Sequence, residues 1–336
     1  MSFLKPKTKI DENDTVIIYL SAKNMHAIDV TPTIINKKNE IIENIFQTSF
    51  GALKVKDLIG VEYGRKIILS KGWAYVLQAN PELWTQTLPH RTQIIYTPDI
   101  SMILFQLEIK PGATVIESGT GSGSLSHYFI RAVKPYGHLH TFDFHELRAN
   151  QARDEFKKHG LQNYVTVYHR DVCENGFTEE LNGKADAVFL DLPSPHTTIQ
   201  HVLKALKLSG GRFCSFSPCI EQAQKCCEAL QANGFTEIRS MELLQVEDTV
   251  KTKTVPIMDL EFLKQKKEAT DQIKLNDDVN TQQSTADVTQ TRNWKDKQEK
   301  HNKESIKILT STPPMMMPGH TGYLTFATIQ PAFTRS

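Results

Sequence analysis

The stretch Ala113-Thr-Val-Ile-Glu-Ser-Gly-Thr-Gly-Ser-Gly-Ser124 decides how the rest of the chain is read. Residues 114–116 are β-branched, glycines follow at 119, 121 and 123, and 125–133 then carries apolar residues at helical spacing,. A strand, a tight glycine turn and a helix are therefore expected. Glycine lets backbone approach a ligand closely, and the first N–H groups of the helix point free donors outward, so a nucleotide-like ligand is the natural guest. The dinucleotide fingerprint places its third glycine three positions after the second. Here Ser124 holds that place and Gly123 comes one early, which disfavours hydride transfer with a nicotinamide,. Asp143 stands twenty residues after Gly123 and closes a second strand-like run, 137–142, where a carboxylate can take both hydroxyls of a ribose,. Adenosine is the moiety expected to be held.

With 336 residues, 39% hydrophobic and 23% charged, the chain can bury a sizeable core, and one main domain plus a smaller one is expected,. No run of about 18 apolar residues occurs, and Met1-Ser-Phe-Leu-Lys-Pro-Lys7 lacks the apolar centre of a signal peptide, so a soluble intracellular protein with no membrane association is expected,. The five cysteines form no Cys-x-x-Cys pair and are odd in number, which points to neither a disulfide framework nor a zinc site; no metal is expected,. A net charge of +1 is weak for a protein that must grip a polyanion unaided,.

Short strand-like pieces at 15–20, 25–30, 66–70 and 73–77, separated by Gly, Asn, Asp and Pro, read as a small β-barrel or sandwich over residues 1–85,. Its purpose stays open between packing on the core, nucleic-acid contact and subunit contact. The run 88–99 that follows has His90, Arg91, Gln93 and Tyr96 within a few residues, side chains that bind phosphates and bases, although an ordinary linker has the same composition,. The run 145–159 reads as a helix with Arg148 in its first turn, where an arginine opposes the helix dipole,. The strand 164–171 delivers Asp171 beside the expected ligand crevice, as a cofactor contact or a cap,. His169-Arg-Asp171 lacks the asparagine five residues on that a kinase loop requires, since Gly176 stands there,.

The run 185–191 is a buried-looking strand ending in Asp191, followed by the stiff Leu192-Pro-Ser-Pro195. Prolines fix φ, so this turn can hold Asp191 rigidly where a flat base would enter; the alternative is an acid capping the helix at 197–206. A fifth strand lies in 210–219, a helix in 220–232, a sixth strand in 235–250 and a seventh in 321–329,. No Gly-x-Ser-x-Gly elbow surrounds Ser215 or Ser217, so they read as lining the substrate side, not as nucleophiles,. The polar, aromatic-poor stretch 261–308 reads as a disordered charged insertion,. The whole is an α/β chain: a doubly wound, seven-stranded, mostly parallel Rossmann-like sheet with one reversed edge strand, in a domain of 86–260 plus 309–336.

Six segments together resemble one family. They are Glu-Ser-Gly-Thr-Gly-Ser-Gly-Ser at 117–124 with Phe-His-x-x-Arg at 144–148, Pro-His-Arg-Thr-Gln-Ile at 89–94, Asp-Leu-Pro-Ser-Pro at 191–195, Phe-Ser-Pro-Cys-Ile-Glu-Gln at 216–222, and Pro-Gly-His-Thr-Gly-Tyr-Leu-Thr-Phe-Ala at 318–327. They look like the motifs of the catalytic subunit of the eukaryotic tRNA adenine-N1 methyltransferase, a class I S-adenosylmethionine-dependent family that modifies the T-loop adenine. The resemblance implies S-adenosylmethionine contacts by Ile95, Ser118, Gly119, Thr120, Gly121, Ser122, Gly123, Ser124, Asp143, Arg148, Asp171, Val172 and Asp191. It implies substrate contacts by His90, Arg91, Thr92, Gln93, Pro193, Ser194, Pro195, Ser215 and Ser217, with Asp191 as the catalytic residue. It further implies a tRNA substrate, a non-catalytic homologous subunit in a heterotetramer of two pairs, and residence in the nucleus. The family's segment after Asp191 usually ends in Trp, whereas this chain has His196. Two rivals remain at this stage: a methyltransferase acting on a protein or small amine, and a binding-only tRNA subunit.

Overall fold

Alternation of apolar and polar residues builds a first β layer in this protein, whose computed structural model describes residues 3–89, 91–257, 261, 264, 265, 267, 268, 305–316 and 322–334,. The strands are β1 (Thr15–Ser21), β2 (Asn24–Asp29), β3 (Thr33–Ile35), β4 (Ile41–Glu43), β5 (Ile45–Thr48), β6 (Gly51–Lys54), β7 (Lys66–Leu69) and β8 (Gly72–Gln78). A four-stranded antiparallel sheet has the order β2-β1-β8-β7, while β3 pairs with β4 and β5 with β6. Val16, Ile18, Leu53, Val55, Ile67, Leu69 and Val76 point inward and close a separate small core. The four strands expected from sequence are the members of the larger sheet. The two shorter ladders escaped notice because strands of three or four residues offer too few repeats for a period to show,.

Two helices occupy the segment before the glycine stretch. α1 (Pro81–Thr87) has Pro at its first turn and is capped by Asn80, whose side chain accepts from the Leu83 N–H at 2.8 Å,. α2 (Thr97–Gln106) also begins with proline and buries Ile100 and Ile103. The main layer then runs β9 (Thr114–Ser118), α3 (Ser124–Val133), β10 (His138–Asp143), α4 (Glu146–Lys158), β11 (Val165–His169), α5 (Val172–Asn175), β12 (Ala187–Asp191), α6 (Ile199–Ala205), β13 (Gly211–Ser217), α7 (Ile220–Ala232) and β14 (Thr236–Met241). After β15 (Thr249–Pro256) and β16 (Ser305–Thr312), the chain returns as β17 (Tyr323–Ile329).

The seven-stranded sheet has the order β11-β10-β9-β12-β13-β17-β14. β9 pairs in parallel with β10 and β12, so the strand order reverses between β9 and β12, and a crevice opens there at the carboxyl ends of the strands,. Helices cover both faces: α2, α3 and α4 pack on one through Ile103, Phe129 and Phe156, and α5, α6 and α7 on the other through Val172, Val202 and Leu230. β17 is the reversed strand, antiparallel to β13 and β14. It lies inside the sheet, not at the edge where it was expected. The reason is composition: Leu324, Phe326, Ala327 and Ile329 are buried on both its faces, whereas β14 is largely exposed and takes the edge,.

The chain forms two compact units, Met1–Leu244 with Gly319–Ser336, and Gln245–Pro318. The first holds both β layers, so the small sheet belongs to the same unit as the large one. In the second, β15 and β16 pair antiparallel from Thr249↔Thr312 to Pro256↔Ser305. The sixth strand is shorter than expected, ending at Met241. Most of the range 261–308 lies outside the described residues, but its last positions, 305–308, belong to β16.

Candidate cofactor and substrate site

Sheet register brings the candidate acids to one level. Phe142 of β10 sits beside Ser118 of β9, and Leu190 of β12 sits beside Ser118 from the other side. Asp143, Gly119 and Asp191 are the next residues on three adjacent strands, and Asp171 follows the end of β11 by two positions. They line one cavity of about 380 Å³ together with Thr92, Gln93, Ser118, Gly121, Phe144, Arg148, Arg170, Val172, Pro193 and Ser194. That is the volume class of small-molecule and cofactor pockets.

The glycine turn is shaped by steric necessity. Gly119 has φ +100°, and a Cβ there would run into the Asp191 carbonyl oxygen. Gly121 has φ +53°, with Thr92 Oγ1 only 2.7 Å from where its Cβ would be. Gly123 (φ +75°) is the left-handed residue that opens α3,. Side chains of the turn face inward and fix it. Ser122 Oγ accepts from the backbone N–H groups of Arg91 at 2.9 Å and Thr92 at 3.1 Å, and Thr120 Oγ1 meets Thr141 Oγ1 at 2.6 Å. Ser124 Oγ donates to the Ile95 carbonyl at 3.1 Å. Thr120, Ser122, Ser124 and Ile95 thus hold the turn from behind, lining a smaller space of about 30 Å³ next to the cavity.

Three carboxylates meet the cavity in three different states. Asp143 is almost fully buried: Oδ2 accepts from the Gly121 N–H at 3.1 Å, and Oδ1 from the His145 N–H at 2.9 Å and from Arg148 Nε and a terminal nitrogen at 3.1 and 3.0 Å. Arg148 therefore steadies Asp143 while its guanidinium lies 5.0 Å from the centre of the Phe144 ring at the mouth,. Asp171 caps α5 through Oδ1, which accepts from the Cys173 N–H at 2.9 Å, so the cap reading and a place on the cavity wall hold together. Asp191 differs. No hydrogen-bond donor or cation among the described residues meets its carboxylate, and burial pushes its pKa up to about 6,.

Behind them lies an acid that the sequence did not single out. Glu117, buried in β9, accepts from Ser126 Oγ at 2.6 Å and Thr141 Oγ1 at 2.7 Å. Burial raises its pKa to about 7 against those two hydrogen bonds, and the charges of Asp191 and Asp143 add to the rise. Gln222 of α7 was also overlooked. Its amide donates to the Pro193 carbonyl at 2.9 Å and ties the Leu192–Pro195 turn to a helix. His127 and His159 form a buried pair under the glycine turn: His127 Nδ1 lies 2.6 Å from the Gly123 carbonyl, and His127 Nε2 lies 2.8 Å from His159 Nδ1. Glu117 and Gln222 stand in quoted segments of the resemblance, but the contacts of all four residues emerge only when strands and helices are brought together.

Several expected substrate residues sit elsewhere. Arg91 is drawn inward, its guanidinium donating to Glu155 at 3.2 Å and to the Ser122 carbonyl at 3.1 Å, so it braces the turn and is absent from the cavity lining. Pro195 is buried at the start of the 3-10 turn Pro195–Thr198, behind Pro193 and Ser194. Ser215 and Ser217 are fully buried on the face of β13 that packs against α7, where Ser215 Oγ meets Cys226 Sγ at 3.3 Å. A strand sends alternate side chains to opposite faces, these two lie under α7 with Phe213, and neither lines the cavity,. Thr92, Gln93, Pro193 and Ser194 do line it. His90 lies outside the described residues.

Comparison with known proteins agrees with this geometry. A model of the family described as the tRNA methyltransferase complex GCD14 subunit matches residues 72–329. The tRNA (adenine(58)-N(1))-methyltransferase catalytic subunit trmt61a of Dictyostelium discoideum is 39% identical over 98% of this chain and 99% of its own length. The corresponding catalytic subunit TRM61 of Candida albicans is 44% identical over 72% of this chain and 70% of its own length. Among solved structures, a SAM-dependent O-methyltransferase of Thermotoga maritima superposes with a TM-score of 0.69 at 23% identity, covering 96% of this chain and 95% of that one. The tRNA (m1A58) methyltransferase TrmI of Aquifex aeolicus does so with a TM-score of 0.63 at 20% identity, covering 95% and 98%. These two likenesses establish the Rossmann-like methyltransferase fold. With the family model spanning both the glycine turn and the Asp191 turn, the chain belongs to the tRNA methyltransferase complex GCD14 subunit family.

Proposed function

We propose that the protein transfers a methyl group from S-adenosylmethionine to N1 of the T-loop adenine of tRNA, position 58, as the catalytic subunit of a two-subunit-type enzyme. One observation carries the reading: a half-buried carboxylate without a partner among the described residues, Asp191, shares a single cavity with a glycine turn that has no room for side chains. Bound S-adenosylmethionine supplies a methyl already made electrophilic by its sulfonium, so the chain need contribute little acid–base chemistry. What the chain's own residues must do is align.

The cavity suits that cofactor. Gly119 and Gly121 bring bare backbone to the cavity wall, Asp143 is positioned by Gly121 and Arg148 to meet ribose hydroxyls, and Asp171 and Val172 form the wall for an adenine ring. Asp191 accepts a hydrogen bond from the N6 amino group of the target base, which directs the in-plane lone pair of N1 toward the methyl and balances the positive charge that develops. Pro193 and Ser194, held by Gln222, restrict the base to one plane,. The base must leave its stack to reach this position. A homologous non-catalytic subunit, in a heterotetramer of two pairs, supplies the remaining grip on tRNA, consistent with a net charge of only +1,. We place the enzyme in the nucleus.

The test is incubation of the purified chain, alone and with a co-expressed companion subunit, with methyl-labelled S-adenosylmethionine and total tRNA, followed by nucleoside mass spectrometry. Label in 1-methyladenosine at position 58 is expected. Label in protein, or in another nucleoside, would overturn the reading.

A further inference from the structure

The solvent face of the small sheet has an unusual composition. In β7 and β8 the inward residues Ile67, Leu69, Ala74 and Val76 fill the small core, and the outward ones are Lys66, Ile68, Trp73 and Tyr75. Register places Ile68 opposite Trp73 and Lys66 opposite Tyr75, and Tyr19 of β1 lies opposite Tyr75 on its other side. The result is one contiguous block of three aromatic rings, an isoleucine and a lysine. Ile68 is 77% exposed, Trp73 45% and Tyr75 38%, where the outer face of an antiparallel sheet ordinarily carries polar residues,. The other end of the face is closed, since Ala27 of β2 packs against Trp84, Leu88 and Ile94.

Charge indicates what covers the open end. Lys66 Nζ stands 4.1 Å above the Trp73 ring, and no carboxylate among the described residues pairs with it. The turns at 22–23 and 70–71, next to Trp73, add exposed Lys23 and Lys71. The block itself contains no acid. Stacking surfaces interleaved with unpaired cations match the bases and phosphates of an unpaired nucleic-acid strand, whereas a protein-binding face would keep the aromatics and shed the lysines.

We infer that the Trp73–Tyr75–Tyr19 face with Lys66 is an RNA-binding platform on which unpaired bases of the tRNA stack while the lysines neutralise its phosphates. The inference rests on the tRNA reading above and assigns part of the grip to this chain.

The enzyme, with its companion subunit, is titrated against labelled tRNA. Trp73→Ala is expected to weaken binding on the order of tenfold, one lost base stack, with KM for tRNA rising in step. The maximal rate at saturating tRNA, S-adenosylmethionine affinity and melting temperature stay at wild-type values, and Trp73→Phe restores most of the binding. Lys66→Gln lowers the slope of log Kd against log salt by about 1. Unchanged tRNA affinity in the Trp73→Ala, Tyr75→Ala double variant would overturn the inference. Ultraviolet crosslinking of wild-type enzyme to tRNA, with adducts mapped by peptide mass, serves if that variant folds poorly. Adducts within 66–75 support the platform, and adducts confined to other segments overturn it. Loss of the companion subunit from the variant, without crosslinks here, identifies a protein interface instead. Crosslinks read binding without methylation, so an inactive wild-type enzyme that still crosslinks here contradicts only the proposed reaction.

Discussion

Asp191 combines properties that its neighbours divide among themselves. Asp143 is satisfied by Gly121, His145 and Arg148, Asp171 is spent partly on a helix cap, and Glu117 is enclosed by two hydroxyls. Only Asp191 reaches the cavity with both oxygens unclaimed among the described residues. Its raised pKa has a sign that can be tested twice. The ionised form is the useful acceptor, so kcat/KM is expected to climb as pH rises through about 6, and Asp191→Asn to remove that inflection from what activity remains,. For stability, the folded-state pKa lies above the unfolded value near 3.8, so the native state holds the proton longer and loses stability as pH rises through that window,. Differential scanning fluorimetry should find Asp191→Asn melting above wild type at pH 7.5 and level with it near pH 3.5. Asp143 and Asp191 were legible in sequence because a strand ending in an acid is a local pattern. Glu117 was not, since its meaning depends on Ser126 and Thr141, and neither was the enclosure of Ser215 and Ser217 under α7, because a period of two does not reveal what covers a face,.

Among elements, the strand–glycine–helix unit was fully legible, and the structure adds the reason each glycine is required. Gly119 is constrained from across the crevice by the Asp191 backbone, so the glycine turn and the Asp191 turn form a single packed device. Gly119→Ala is therefore expected to cost both at once. S-adenosylmethionine affinity falls tenfold or more by calorimetry, and melting temperature drops several degrees, because φ +100° is strained for alanine wherever the Cβ goes,. The helix at 81–87 went unread in the sequence, and the start of the one at 97–106 fell in the run 88–99 that has a linker's composition, since a proline at a helix start resembles a breaker when no partner is in view,. The reversed strand was assigned to the edge because chain order alone gives β17 as last. Its burial on both faces decides the matter: β13 and β14 pair with its two edges, while the helices on either side of the sheet cover its two faces.

At the scale of the whole molecule, small sheet and large sheet form one compact unit, and the buried His127–His159 pair packs within it beside Phe3 and Trp84. Burial pushes His127 down to about 4 and His159 to about 2, so both imidazoles are neutral when folded, while the unfolded chain takes up protons below about 6.5,. Stability is accordingly lost as pH falls from 6.5 toward 4, opposite in direction to the effect of Asp191. Replacing His159 with Gln should flatten that acid limb of a melting-temperature profile, even if it lowers the melting temperature at pH 7.

The central claim is that one cavity holds the methyl donor and that Asp191 aligns the base within it. Single-turnover methyl transfer to tRNA by Asp191→Asn, measured beside calorimetric S-adenosylmethionine binding, tests it most directly. The expected result is a rate on the order of a hundredfold below wild type with donor affinity within a few-fold. A near wild-type rate, or a rate loss fully matched by lost donor binding, would contradict the claim.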